Sequence, residues 1–494
     1  MSRRALIVLA LVAALVAASA PLARAVESAG DPLHWDACGN RFECATLDVP
    51  VDYSKPGGEE LGIAVVRRPA TDPGARIGSL VINFGGPGDP GTETLRAAYP
   101  ALPSEIRARF DLVSFDPRGT GTSRPIDCVD DATFERAAAE DVTPDSDAEL
   151  AKFYDGSAFS VDLIGSCIAR YGSWLAHVGT RNVARDLDRL RLALGEQQLT
   201  FLGYSYGTLI GAVYAQDFPD HIRAFVLDSA VNLSTTPQQR QQGNAKGFED
   251  SLNAFLADCA ADVECPFHSG GDPRAALLHL RDEFESGLIL ATDDGRTVRV
   301  TDFYIAMLDA LYAHETWITL AEALREASDD RTANGLRRLA DRLLGRRGDG
   351  TYDSLQEAIG IINCDDDPTK RVTFAGFRST YFELVRRYPV FGPPFAGSPV
   401  GCDPRLPEPA ASEQLGNVRV QDAPPILVIG VTHDPATPYD GSQVLHRRLR
   451  GSRLLTLDGT QHTAYARGVA CIDSAVDRYL LDRVLPPRRT RCVT

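Results

Sequence analysis

A serine flanked by glycines, Gly203-Tyr204-Ser205-Tyr206-Gly207, is the most informative stretch of this chain. A serine hydroxyl becomes a useful nucleophile only beside a base and in a setting that exposes it. The pattern G-x-S-x-G provides that setting when a strand precedes it and a helix follows it. The turn is then so sharp that side chains two residues either side of the serine would collide, which is why both are glycine. Here an apolar run, 199–202, precedes the motif and 208–216 reads as a helix. The turn would lift Ser205 Oγ above the edge of a sheet. It would also put the Tyr206 N–H at a helix N-terminus, where it can bind a developing oxyanion.

The base and its orienting acid come later in the chain. Asp434 sits in Gly430-Val431-Thr432-His433-Asp434-Pro435, just past the apolar strand 426–430. His462 follows the next strand, in Gly459-Thr460-Gln461-His462-Thr463. The order serine, acid, histidine with each residue on a loop after a strand is one of the recurring triad arrangements. His433 is the nearest rival among the histidines, but it precedes the acid within the same loop. Gly85-Gly86-Pro87-Gly88, after strand 79–84, supplies the second oxyanion donor, assigned to the Gly86 N–H because a residue without Cβ lets the backbone approach a substrate oxygen. Asp116-Pro117-Arg118-Gly119 reads as a structural turn braced by an Asp–Arg interaction.

These loops need a scaffold. Runs 45–51 and 61–67 flank a Pro-Gly-Gly turn and read as an antiparallel hairpin. Short apolar strands at 79–84, 111–115, 199–202 and 225–228 then alternate with helical segments at 182–194 and 208–216. That pattern predicts a mostly parallel sheet covered on both faces. From 235 to 421 the pattern becomes helical, with segments at 303–311, 317–327, 335–344 and 354–362, and a Pro/Gly-rich loop over 391–409. Strands return at 426–430 and 453–457, followed by a helix at 471–481. The expected organisation is a core of 26–234 and 422–494, interrupted by a helical cap at 235–421.

Composition narrows the class. The 494 residues carry a formal charge of −16 and only four lysines, which argues against nucleic acid or an anionic membrane surface as partner. Arg3 and Arg4 before an apolar run at 5–17, then Pro21 and Ala23-Arg24-Ala25, read as a secretory signal peptide at 1–25, cleaved after Ala25. No later run is long enough to span a membrane. The expected location is therefore secreted, in the medium or at the cell wall. The ten cysteines, all beyond residue 25, then imply disulfides. Nearest-neighbour pairing would join 38–44, 128–167, 259–265, 364–402 and 471–492, although spacing alone does not fix connectivity. No C-x-x-C pair or Cys/His cluster indicates a metal site, and the chemistry above needs no cofactor.

With these residues in hand a resemblance is evident. Phe84-Gly85-Gly86-Pro87-Gly88 resembles the His-Gly-Gly-Pro-Gly loop of proline iminopeptidases. Together with Asp116-Pro117-Arg118-Gly119-Thr120-Gly121-Thr122-Ser123, Asn182-Val183-Ala184-Arg185-Asp186-Leu187, the Ser205 motif and Asp434-Pro435-Ala436-Thr437-Pro438, it is similar to the secreted tripeptidyl aminopeptidases of high-GC Gram-positive bacteria. The resemblance implies an α/β-hydrolase fold with a large, mainly helical cap, and a serine exopeptidase of the prolyl aminopeptidase type acting on peptides. Two departures bear on specificity. Phe84 replaces the usual histidine, and Cys402-Asp403-Pro404-Arg405 lacks an expected Cys-x-x-Trp-Pro.

An aminopeptidase must recognise a free α-ammonium, and a cap carboxylate is the natural device. Asp365 and Asp366, beside Cys364, are the candidates, against the plainer reading of an acidic turn or helix cap. A monomer is expected. The same triad serves esterases and lipases, so a carboxylesterase is the alternative, and a non-catalytic cell-wall binding protein a remote one. Ser205 excludes the haloalkane dehalogenases and epoxide hydrolases of this fold, which need an aspartate at the elbow.

Overall fold

The computed structural model describes residues 32–156, 161–367, 372–397 and 402–494. The signal-peptide expectation at 1–25 lies outside the described residues. The central sheet takes strands β1 (Asp36–Ala37), β2 (Glu43–Pro50), β3 (Glu60–Arg68), β4 (Gly78–Asn83), β5 (Phe110–Phe115), β6 (Leu199–Tyr204) and β7 (Ile222–Asp228) from the first half of the chain. A separate two-stranded ribbon, β8 (Leu290–Ala291) with β9 (Thr297–Val298), lies in the helical region. The last sheet strands are β10 (Leu427–Val431), β11 (Arg453–Asp458) and β12 (Arg491–Val493).

Their order across the sheet is β1-β2-β3-β5-β4-β6-β7-β10-β11-β12. From β5 through β12 all neighbours are parallel, whereas β1, β2 and β3 are antiparallel additions at one edge. The parallel strands are short apolar runs because both faces are covered. Alternation sends Val81, Val113, Phe201, Phe225 and Val428 to one face. Their neighbours Leu80, Leu112, Leu202, Val226 and Ile429 go to the other. The first face is closed by the helices Thr180–Ala193 and Gly207–Asp217, the second by Gly91–Ala98 and Ala470–Asp482.

Strand order reverses at β4. The chain moves from β4 outward to β5, then returns to lay β6 on the opposite side of β4. The carboxyl ends of β4 and β6 therefore flank a switch point, where open α/β sheets bind ligands. Gly85-Gly86 follows one of these strands and Ser205 the other.

Between β7 and β10 the chain is mainly helical and has its own apolar cluster, built on Phe248, Phe255, Phe303, Met307, Trp317 and Leu336. A stretch read from sequence as core also enters this layer. The helices Asp131–Ala138 and Asp147–Asp155, between β5 and β6, send Phe134 against Leu344 and Tyr352, and Leu150 and Phe153 against Phe377 and Tyr381. Segment 391–409, expected as a loop, contains the short helix Gly392–Gly397.

All ten cysteines pair, in nearest-neighbour order: Cys38–Cys44, Cys128–Cys167, Cys259–Cys265, Cys364–Cys402 and Cys471–Cys492. Five disulfides suit a chain that folds outside a reducing cytosol. Among the described residues no helix is long and apolar enough to cross a membrane.

Candidate active site

Ser205 occupies the left-handed region at φ 52°, a costly conformation for a non-glycine residue and one that over-determined surroundings must hold. The surroundings do so from three sides. The Ser205 amide donates to the Asp228 carbonyl at the end of β7 (2.9 Å), and its own carbonyl accepts from Thr208 N (2.9 Å) and Thr208 Oγ1 (2.6 Å). A Cβ on Gly203 would lie 2.4 Å from the Gly207 carbonyl oxygen, and one on Gly207 would lie 2.8 Å from that of Asn83. Both motif glycines are thus required by backbone-to-backbone approach.

Asp434 is buried on the loop after β10, where three donors surround it. Its Oδ1 accepts from Ala436 N (3.0 Å) and Thr437 N (2.8 Å), and its Oδ2 from Thr437 Oγ1 (3.0 Å). His462 Nδ1 lies 2.9 Å from Oδ1 and 3.0 Å from Oδ2. With the Nδ1 proton directed to the carboxylate, Nε2 is left as the basic atom of the ring. Thr437 Oγ1 also lies 3.4 Å from Nδ1, so it braces acid and imidazole together.

The helical layer holds the histidine as well. The His462 amide donates to the Tyr312 carbonyl (2.7 Å), and the Tyr312 ring meets the imidazole edge-on, centroids 5.5 Å apart. Tyr312 and Thr437 carried no sequence signal of this role, although Thr437 lies in a quoted motif.

The glycine loop closes on the elbow. Gly85, Gly86 and Gly88 all have positive φ, and Asn83 Oδ1 accepts the Gly85 amide (3.2 Å). A Cβ on Gly85 would lie 3.0 Å from Ser205 Cβ and 3.5 Å from Tyr206 N, so this loop and the two elbow residues share one small space. Phe84, at the position where the resembling loop carries histidine, stacks on Tyr204 with centroids 6.0 Å apart. The helix Leu355–Asp366 crosses above, near enough that a Cβ on Gly88 would meet Leu355 and Ala358 within 3.3 Å.

That helix ends at the two candidate clamp residues, and both are buried. Asp366 accepts from Thr180 N (2.6 Å) and from the Thr180 hydroxyl, and the Tyr206 hydroxyl lies 3.5 Å from it. Asp365 accepts the Gly179 amide through Oδ2. The pair therefore caps the N-terminus of Thr180–Ala193, where free amides and the helix dipole favour negative charge. Burial nevertheless pushes Asp365 up to about 7 and Asp366 up to about 6. Among the described residues Asp365 Oδ1 has no partner, and Asp365 borders a cavity of about 510 Å³ beside Cys364–Cys402.

The Asp116–Arg118 interaction expected from the sequence is absent from the described hydrogen bonds. Asp116 does not brace Arg118. It accepts from Thr92 N (2.9 Å) and Thr122 N (2.9 Å) and ties its own turn to the helix Gly91–Ala98. Arg118, fully buried, makes a bidentate pair with Asp186 (2.7 and 2.6 Å) and donates to the carbonyls of Pro50, Val51 and His177. A buried guanidinium needs all its donors satisfied, and a four-residue turn cannot offer that many acceptors.

Among the described residues one trio with metal-type side chains converges, Asp52, His177 and Glu413, with ligand atoms within 4.8 Å of one another. Its charges are already matched internally, Lys55 on Asp52 (2.9 Å) and His177 on Glu413 (3.1 Å). A larger cavity, about 1220 Å³, runs from Glu135 and Phe153 to Phe284 and Arg337, and includes none of the candidate residues.

Chemistry of this kind, on a sheet that reverses order beneath it, is that of a serine hydrolase. The chain belongs to the alpha/beta hydrolase fold family, whose profile matches residues 78–468. It is 39% identical over 489 residues to serine protease Hip1 of Mycobacterium tuberculosis, covering 94% of this chain and 91% of that one. Carboxylesterase B of the same species is 36% identical, with 91% and 86% covered. A tripeptidyl aminopeptidase of Streptomyces coelicolor is 31% identical, with 95% and 87% covered, in keeping with the resemblance read from the sequence motifs.

Proposed function

We propose that this protein is a secreted serine exopeptidase that releases short peptides, most simply tripeptides, from substrates with a free amino terminus. The signal peptide would be 1–25, the core 26–234 and 422–494, and the cap 235–421. The observation that carries the hydrolytic reading is the Asp434–His462 pair at 2.9 Å, on loops that follow adjacent parallel strands of the sheet bearing the Ser205 elbow. In this reading His462 Nε2 takes the Ser205 proton as Oγ attacks the scissile carbonyl. Asp434 holds the ring and stabilises the imidazolium. The Gly86 and Tyr206 amides receive the oxyanion. The proton then passes to the leaving amine, and water, activated by the same imidazole, hydrolyses the acyl-enzyme.

The peptidase assignment is supported by the relatives named serine protease and tripeptidyl aminopeptidase. Of the two clamp candidates, Asp365 is favoured as the group that meets the substrate ammonium. It keeps an unshared buried oxygen beside a cavity, whereas both oxygens of Asp366 already accept hydrogen bonds. The relative named carboxylesterase supports the second reading, hydrolysis of small esters.

The test is a panel of fluorogenic substrates offered to the mature protein: a free-amine tripeptidyl amide, its N-blocked form, a prolyl amide and a short-chain ester. The reading expects cleavage of the free tripeptide, loss on blocking, and a KM increase for the free amine alone in Asp365→Asn. Cleavage of the ester only would move the protein to the esterases. Full activity in Ser205→Ala would remove the hydrolytic reading, and failure of a fluorophosphonate to label Ser205 would favour a binding protein.

A further inference from the structure

Asp228 closes β7 and was given no role by its sequence context. It is completely buried. Its backbone carbonyl receives the Ser205 amide (2.9 Å). Its carboxylate oxygen Oδ2 receives the amides of Ala464 (3.0 Å) and Tyr465 (2.8 Å), two and three residues beyond His462. The next residue continues the pattern, because Ser229 Oγ receives the Thr463 amide (3.1 Å) and the Ser229 amide donates to the Ile429 carbonyl of β10 (3.1 Å). Thr463 and Ala466, within the bend so held, both have positive φ and need such support. One short segment therefore grips the nucleophile's backbone from one side and the histidine loop from the other.

The second oxygen, Oδ1, has no hydrogen-bond partner among the described residues. A buried carboxylate oxygen without a donor is expensive and calls for an explanation. The ionisable side chains that act on it are His462, from the loop after β11, and Asp434, from the loop after β10. Tyr204 of β6 feels its charge, together with those of Arg467 and Asp473. Burial pushes Asp228 up to about 6, against the pull of the Tyr465 and Ala464 amides and, after them, of the His462 charge.

We propose that Asp228 is a positioning residue for the reaction: it fixes the distance between Ser205 and His462 by holding both backbones, and its unshared oxygen supplies negative charge near the imidazolium. This rests on the triad reading above. A carboxylate that only filled space would not need to bond two consecutive amides of the histidine loop while its own backbone anchors the elbow. An asparagine, of the same shape, keeps an acceptor for those amides and loses the charge. An alanine loses both.

The experiment measures kcat/KM against pH for the mature wild type, Asp228→Asn and Asp228→Ala on one substrate the wild type cleaves, with kcat expressed per Ser205 titrated by a fluorophosphonate. Asp228→Asn is expected to move the acidic limb to lower pH by about half a unit or more, because the imidazolium loses a nearby negative charge. Asp228→Ala is expected to lower kcat by roughly ten- to a hundredfold, with KM within about threefold, as misplaced groups do. An acidic limb unmoved in Asp228→Asn would overturn the charge role. A wild-type kcat in Asp228→Ala would overturn the positioning role. Should the alanine variant not fold, Asp228→Ser, too short to reach both amides, replaces it for the positioning role, and Asp228→Asn with its pH limb decides the charge role. Ser205→Ala is run alongside. If it stays active the triad reading itself fails, whereas a dead Ser205→Ala with unaltered Asp228 variants defeats this inference alone.

Discussion

The carboxyl edge of the sheet and the helical layer above it hold the same site by opposite means. At the edge, position is set by backbone. Ser205 is fixed through its amide and carbonyl, Gly203 and Gly207 admit no Cβ, and Asp434 is surrounded by donors from its own loop. In the helical layer, the carbonyl of Tyr312 that receives the His462 amide is itself placed by packing. Phe248 meets Tyr312 edge-on at 5.3 Å and lies against Phe391 and Phe395 at 5.7 and 5.6 Å, and Tyr312 in turn borders His462. Hydrogen bonds between rigid strands tolerate little displacement, whereas aromatic contacts can repack. Edge changes should therefore damage every reaction alike, and changes in the layer should separate one substrate from another.

The largest effect expected under this contrast is at His462. On the proposed triad, His462→Ala should lower kcat by roughly 10⁴- to 10⁶-fold on every substrate, peptide or ester, because losing one member costs nearly as much as losing all. A loss seen for peptides but not for esters would show that the base lies elsewhere. Next comes Gly207→Ala. Its Cβ would fall 2.7 Å from Asn83 Oδ1 and 2.8 Å from the Asn83 carbonyl oxygen, so either β4 or the elbow must move. The expected outcome is a folded protein with kcat down about a hundredfold or more, or no soluble protein at all. Wild-type turnover would mean that the elbow is softer than its geometry indicates.

How much of this was legible beforehand follows the same division. Ser205, Asp434 and His462 stand out as candidates because each follows a short apolar strand, and strand ends are local features of sequence. The order of the motifs along the chain then gave the sheet class. Contacts between segments distant in sequence were not legible. Arg118 pairs with Asp186, 68 positions away, and nothing in Asp-Pro-Arg-Gly says so. Tyr312 touches His462 from 150 residues upstream through its carbonyl, an atom every residue possesses. Asp228 looks like any polar residue ending a strand. The helices at 131–155 lie within the stretch expected as core yet pack against the helical layer, because amphipathic periodicity tells that a face is buried, not against which layer.

In the helical layer, Phe248→Ala should cost about 3–5 kcal/mol of local stability by leaving a cavity under Tyr312. On the contrast drawn above, the ester should be hydrolysed within about threefold of wild type while the tripeptide loses roughly tenfold in kcat/KM. Equal losses on both substrates would merge the two regions into one mechanical unit.

The smallest effect concerns protons. Asp365 and Glu357, in the helix Leu355–Asp366, are each pushed by burial to about 7, and Asp366 to about 6, against an ordinary carboxyl value near 4. In the folded protein these groups keep protons that the unfolded chain releases at about pH 4, so their contribution to stability is complete below that pH and declines as pH rises through 6 to 7. His177, raised by its bond to Glu413, has the same sign. Melting temperature should therefore fall by a few degrees between pH 5 and 8, and the slope should flatten in Asp365→Asn, where no charge need be buried. If melting temperature instead rises with pH, or Asp365→Asn keeps the wild-type slope, the buried carboxylates are ionised throughout. The end of this helix would then be held by ionised carboxylates on backbone amides, as Asp434 is held at the sheet edge, and the contrast between the two regions would stop short of Thr180.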